Sequence, residues 1–306
     1  NKRIYNQTKY IKDWAGYPVC EYTKTEYYPS GEELFLKMLE AVKEAENFIF
    51  LEYFIFEDGI MLEQLLAALE EKVKQGVEVR MIYDDVGCIS KLPAGYYKKM
   101  EARGIKCTAF NPFRPIMSII MNNRDHRKIL VVDGKTAFTG GINIADEYIN
   151  VTTRFGYRKD TGVRIEGKAV WNFTAMFLQM WNFANHSTEN YLAYKPQINW
   201  KKQYESDGYV QPYADSPIDH ENQAENIYLN IINYAKDYVY IFTPYLIIDE
   251  EMCVALCNAA KSGVDVRIVT PGIPDTDTVL YSGIIKVKCK NLSVCQRFYP
   301  CKMFCQ

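Results

Sequence analysis

Two stretches about 190 residues apart repeat one another, and this repeat restricts the possible folds more than any other feature. AENFIFLEYFI, from Ala45, is matched by AKDYVYIFTPYLI from Ala235. After an intervening helical stretch in each copy, QGVEVRMIYD, from Gln75, is matched by SGVDVRIVTP from Ser262. Chance can produce one such match. Two in the same order, offset by about 190 and about 187 residues, mark an internal duplication.

Each copy reads strand, helix, strand. Residues 48–56 (FIFLEYFIF) are aromatic and β-branched, the composition of a buried strand. Residues 61–75 carry a helical pattern that stops at Gly76, and residues 77–83 form the next strand. Upstream, Ser30 followed three residues later by Glu33 marks the capped start of an amphipathic helix. This order predicts an α/β fold with a mixed or largely parallel sheet flanked by helices. The halves are expected at residues 1–195 and 196–275, joined through the polar sequence KPQINWKKQYESDGYVQP.

Composition narrows the function. Hydrophobic residues make up 48% of the 306, enough for a packed core, and the net charge of −2 gives no global reason to expect nucleic acid. No run of about 18 apolar residues is present, so no membrane-spanning helix is expected. The nine cysteines lack the paired spacing of a zinc site. The early ones are dispersed, as in a reducing compartment, and four crowd into residues 289–305.

The chemistry is expected in RDHRKILVVDGKTAFTGGIN, residues 124–143. His126 and Lys128 are two apart, so on a strand they face the same side. Asp133-Gly134 is a hairpin turn signal. Gly140 and Gly141 permit close backbone approach, and Asn143 offers amide donors beside them. A lysine and an amide can hold two phosphoryl oxygens, and an imidazole beside them can attack phosphorus to form a covalent intermediate. A lone histidine near a lysine is usually incidental, but the whole spacing, H-x-K-x4-D-x6-G-G-x-N, is hard to obtain by accident. Asp84-Asp85 could suggest a metal pair, yet carboxylates at strand ends commonly cap the next element. His186 and His220 lie in polar segments and are expected to be solvated.

At these residues the sequence resembles the phospholipase D superfamily, whose HKD motif is reproduced by His126, Lys128, Asp133, Gly140, Gly141 and Asn143. Within the superfamily it is similar to the bacterial cardiolipin synthases through FLEYFIFEDG, YDDVGCISKLP, FNPFRPIMSIIMNNRDHRK, TGGINIADEYIN and FLQMWNF, over roughly residues 1–275. The resemblance implies phosphatidyl transfer between two phosphatidylglycerol molecules through a phosphatidyl-histidine, with release of glycerol and without metal or other cofactor. It implies that Asp133 fixes the hairpin, and that Asp160 is the carboxylate that orients the histidine. It further implies phosphatidylglycerol and a membrane surface as partners, not nucleic acid, with the catalytic part on the cytoplasmic side of a bacterial cell membrane. The apolar run at residues 110–121 reads either as a buried connection or as a lip entering the lipid interface. Other enzymes of the superfamily, hydrolase or nuclease, and a catalytically impaired remnant that only binds lipid are the rival readings.

Superfamily members carry two such motifs. His126 lies 50 residues after Gly76, so the counterpart Gly263 would place a second histidine near position 313; none follows His220. From Thr276 the resemblance fades into a basic, cysteine-rich tail, residues 276–306. The second half is therefore expected to be incomplete, through truncation or a frameshift before the second motif. A divergent ending ranks next, and a homodimer in which each chain lends His126 ranks below both.

Overall fold

The computed structural model describes residues 2–113, 123–153, 156–205, 208–215, 221–270 and 293–296. The chain begins with α1 (Lys2–Ala15), β1 (Thr23–Tyr28), α2 (Gly31–Glu44), β2 (Phe48–Tyr53), α3 (Ile60–Lys74) and β3 (Glu78–Asp84). Short helices α4 (Asp85–Cys88) and α5 (Tyr96–Glu101) lead to β4 (Lys106–Phe110). The hairpin β5 (Lys128–Val132) and β6 (Thr136–Gly140) follows, then β7 (Gly162–Gly167) and α6 (Val170–Asn185). These strands form one sheet in the order β1-β7-β6-β5-β2-β3-β4.

Local signals set these boundaries. The Ser30 hydroxyl accepts from the Glu33 amide at 3.3 Å and starts α2. Helix α3 stops where Gly76 takes a φ of +87°, a left-handed conformation that costs glycine little. The sheet is mixed. β2 runs parallel to β3 and β3 to β4, as the strand-helix-strand order predicts, while the other four pairings are antiparallel. Helices cross over between the parallel strands, whereas β5 and β6 are joined by the Asp133-Gly134 turn and must pair antiparallel.

Strand alternation divides the core. Ile49, Leu51 and Tyr53 of β2 pack under α2 and α3, while Phe48 and Phe50 face α6. Phe50 stacks on Phe177 of α6 with ring centroids 4.4 Å apart. Burying an aromatic or aliphatic side chain of this size contributes about 1.5–3 kcal/mol, and Phe50→Ala would cost about 3–5 kcal/mol.

The second half repeats the first. After α7 (Trp200–Gln203), the order α8 (Gln223–Tyr234), β8 (Tyr238–Phe242), α9 (Glu250–Lys261) and β9 (Asp265–Thr270) reproduces α2-β2-α3-β3. With β10 (Ser293–Gln296) they form a parallel three-stranded sheet, order β10-β9-β8. The polar connector between the halves is pinned to the first: Tyr194 packs edge-on against Phe48 and Phe50, and Cys20 and Val210 exchange backbone hydrogen bonds.

The copies differ in cover. Phe48 and Phe50 are 6% and 0% exposed, whereas their counterparts Tyr238 and Tyr240 are 63% and 46% exposed. Among the described residues, aromatic surface on the sheet of the second half is thus open where its counterpart in the first is covered. Among the described residues, no helix is long and apolar enough to cross a membrane.

Candidate active site

The main chain ahead of β5 is irregular over residues 123–127, and the strand begins at Lys128. His126 and Lys128 therefore do not share a strand face through simple alternation. They still meet: the Lys128 ammonium donates to the His126 carbonyl oxygen at 2.7 Å, and both residues line one cleft of about 370 Å³. Gly140 and Gly141 form a second side of it, and Phe173 and Met176 of α6 a third. Tyr213, Ala214 and Pro244 close it from the connector and the second half.

The His126 ring is open to the cleft on one side and packs on Phe54 on the other, with ring centroids 4.8 Å apart. Burial first, and then the Lys128 charge, push its pKa down to about 4 against the opposing pull of Asp125. At neutral pH the imidazole is thus uncharged and has a free lone pair, the state a nucleophile needs. Burial also lowers Lys128 to about 8, opposed by the charges of Asp125, Asp160 and Asp84. Lys128 remains largely cationic at neutral pH and lines the cleft beside His126.

The loop carrying His126 is held from β3. Asp84 is fully buried; its carboxylate accepts from the Asp125 amide at 2.9 Å, pairs with Arg124 at 3.3 Å, and caps α4 through the Gly87 amide at 3.0 Å. Asp85 accepts from the Phe113 amide at 2.7 Å. Both carboxylates thus cap and anchor, as expected of strand-end acids. Phe54 is placed by α4 as well: the Cys88 thiol lies 3.5 Å from its carbonyl oxygen, and a Cβ on Gly87 would come within 2.2 Å of that oxygen.

The other motif residues serve the scaffold. Gly140 does permit a close approach, but of β7: an added Cβ would lie 2.4 Å from the Thr161 carbonyl oxygen. Asn143 is not presented to the cleft as the spacing suggests. It is buried, its oxygen accepts from the Ile55 amide at 3.1 Å, and its nitrogen donates to the Tyr148 hydroxyl at 2.7 Å. Asp133 sits at the opposite end of β5 from Lys128, where it accepts from the amides of Glu46, Asn47 and Phe48 at 2.9, 2.7 and 2.9 Å. Asp133 and Gly134, with φ of +53° and +63°, form the left-handed turn. Asp160 is fully buried ahead of β7, accepts from the Thr161 amide at 2.8 Å, and acts electrostatically on Lys128.

His186 ends α6 in a left-handed conformation and is exposed, in keeping with a solvated residue. His220 and most of the apolar run at residues 110–121 lie outside the described residues; Phe110 itself is buried at the end of β4. Sequence reasoning missed Phe54, Glu52, Arg127, Tyr213 and Pro244. For two of them a signal was available. Glu52 is a charge inside an otherwise apolar strand, and the repeat aligns Phe54 with Pro244, so equivalent positions of the two halves meet around one cleft.

Comparison with known proteins gives the same answer. The family described as "Cardiolipin synthase, PLD-like domain" matches residues 38–181 and 228–298. The match therefore extends past residue 275. A cardiolipin synthase of Alkalihalophilus pseudofirmus is 35% identical over 269 residues, 87% of this chain and 52% of that protein. An uncharacterized protein of Streptococcus mutans is 52% identical over 274 residues, 89% of this chain and 59% of that protein. The chain thus spans about half the length of the curated relatives it matches. In fold it is similar to the crystal structure of a phosphatidylserine synthase from Haemophilus influenzae, with a TM-score of 0.62 and 14% identity over 88% of this chain and 66% of that one. The chain belongs to the cardiolipin synthase family of phospholipase D-like domains.

Proposed function

We propose that this chain carries the nucleophilic half of a phosphatidyl-transfer site acting on phosphatidylglycerol at the cytoplasmic surface of a bacterial membrane. One observation carries the reading: an uncharged imidazole, His126, and a buried ammonium, Lys128, line one cleft between the two halves of a duplicated fold.

The imidazole lone pair attacks phosphorus, a P–N bond forms, and the bond from phosphorus to the glycerol headgroup oxygen breaks. Lys128 balances charge on the non-bridging oxygens, and the main chain at Gly140 and Gly141 leaves room for the phosphoryl group. Released glycerol takes up a proton. The hydroxyl of a second phosphatidylglycerol then attacks phosphorus and loses its proton as the P–N bond breaks, giving cardiolipin. Asp160 is proposed to act through Lys128, on whose ammonium its charge bears.

Expulsion of glycerol calls for a proton donor, and His126 is the one histidine of the described residues that lines the cleft. Loss of a positioned general acid slows such a step by about 10²–10⁴-fold. The test is incubation with vesicles of labelled phosphatidylglycerol and separation of the products. His126-dependent cardiolipin supports transfer; phosphatidic acid as the sole product means that water is the acceptor; cardiolipin formed equally by His126→Asn overturns the reading.

A further inference from the structure

We propose that Glu52 is the positioning residue of the cleft: its contact with Arg127, closed through Asp125, clamps the main chain on both sides of His126 and so fixes the imidazole. The proposal deepens the reading of the cleft as a histidine-based transfer site, and it rests on that reading only for its kinetic arm.

Among the described residues neither ring nitrogen of His126 makes a hydrogen bond, and the ring packs on Phe54. Its place is therefore set by the chain that carries it. On the N-terminal side the Asp125 amide is tied to Asp84 at 2.9 Å. On the C-terminal side the Arg127 amide donates to the Asp125 carboxylate at 3.2 Å, and its guanidinium contacts the same carboxylate at 3.3 Å. That guanidinium also contacts Glu52 at 2.5 Å. Glu52 is fully buried in β2, and β2 pairs with β5 at Ile129, three residues after His126. The loop is thus tied to β2, an interior strand of the sheet, through a fully buried side chain.

Stability alone does not account for such a group. Moving each charge of a buried cluster out of water costs several kcal/mol, and apolar residues of similar volume are often as stable or more so. The duplication supplies the comparison. At the position equivalent to Glu52 the second half carries Phe242, so strand β8 forms without a carboxylate there. What an apolar pair cannot supply is the close charge contact that ties Arg127 to β2. Burial pushes Glu52 well above the usual carboxylate range, against the opposing pull of the Arg127 charge. Glutamine is then a faithful replacement, since its amide oxygen can face Arg127 in the same way.

Three histidines give separable ring signals in the full chain labelled at histidine, with His126→Asn for assignment. The wild type should show one His126 signal with a cross-peak to the Phe54 ring. Glu52→Ala should lose that cross-peak and broaden the signal while His186 stays unchanged, and Glu52→Gln should restore both. Val42→Ala, which destabilises the core on the other face of the sheet, should leave His126 as it is. Where Glu52→Ala fails to fold, Arg127→Met removes the other end of the clamp at similar volume and should produce the same loss. With phosphatidylglycerol, Glu52→Ala should lower kcat by about 10–100-fold with KM within about twofold, the effect of misplacing a reacting group by about 1 Å. A wild type inert to phosphatidylglycerol sinks the substrate reading while the ring contact still decides the clamp. A folded Glu52→Ala or Arg127→Met protein with an intact cross-peak overturns the proposal, as does failure of Glu52→Gln to restore it.

Discussion

Removing the Asp133 carboxylate should cost the fold rather than the chemistry, although this residue belongs to the motif. The carboxylate takes three main-chain amides at the start of β2, and its own amide donates to the Phe48 carbonyl oxygen at 2.9 Å. A hydrogen bond to a charged group contributes about 1.5–3 kcal/mol. Three bonds on one carboxylate are not additive, so Asp133→Ala should destabilise by about 3–5 kcal/mol, a large part of a typical domain's stability. Asp133→Asn should cost less, about 1–3 kcal/mol. The amide oxygen can still serve Asn47 and Phe48, and asparagine tolerates the φ of +53°, but its NH₂ then meets the Glu46 amide. Urea unfolding of each variant measures the loss. Adduct formation per folded molecule should be unchanged in Asp133→Asn. A variant of wild-type stability that forms no adduct would return Asp133 to the chemistry and refute the reasoning.

Three further outcomes follow from the electrostatics of the cleft. His126 has a folded-state pKa of about 4, below the ordinary 6.5, so its contribution to stability is present above pH 6.5 and is lost as pH falls toward 4; urea titrations should show that loss shrink in His126→Asn. Phe54→Ala opens the ring to water and should move its titration point back toward 6.5, read from the histidine ring signals. Lys128, lowered to about 8, should lose its hold on a phosphate anion as pH rises above that value; calorimetry with glycerol phosphate checks it, and Lys128→Met should bind weakly at every pH.

The fold was legible where local signals agree: the Ser30 cap, the Gly76 stop, the Asp133-Gly134 turn and the duplicated strand-helix-strand unit all stand in the structure. The cleft was legible where the motif runs along one hairpin, so His126, Lys128, Gly140 and Gly141 meet. Spacing could not say which polar groups turn inward. Asn143 reads as a donor for the site, yet it is committed to the Ile55 amide and the Tyr148 hydroxyl, which only the folded chain brings near it. Phe54 and Glu52 lie about 75 residues upstream of the histidine loop and reach it through the pairing of β2 with β5, a register no local pattern contains. Tyr213 and Pro244 depend on how the second half sits against the first.

The most direct test is intact-mass and peptide mapping of the chain after incubation with phosphatidylglycerol vesicles and an alkaline quench, which preserves a P–N bond. The account predicts one phosphatidyl group on His126, one glycerol released per adduct, and neither in His126→Asn. An adduct on any other residue, or glycerol release by His126→Asn at the wild-type rate, would contradict it.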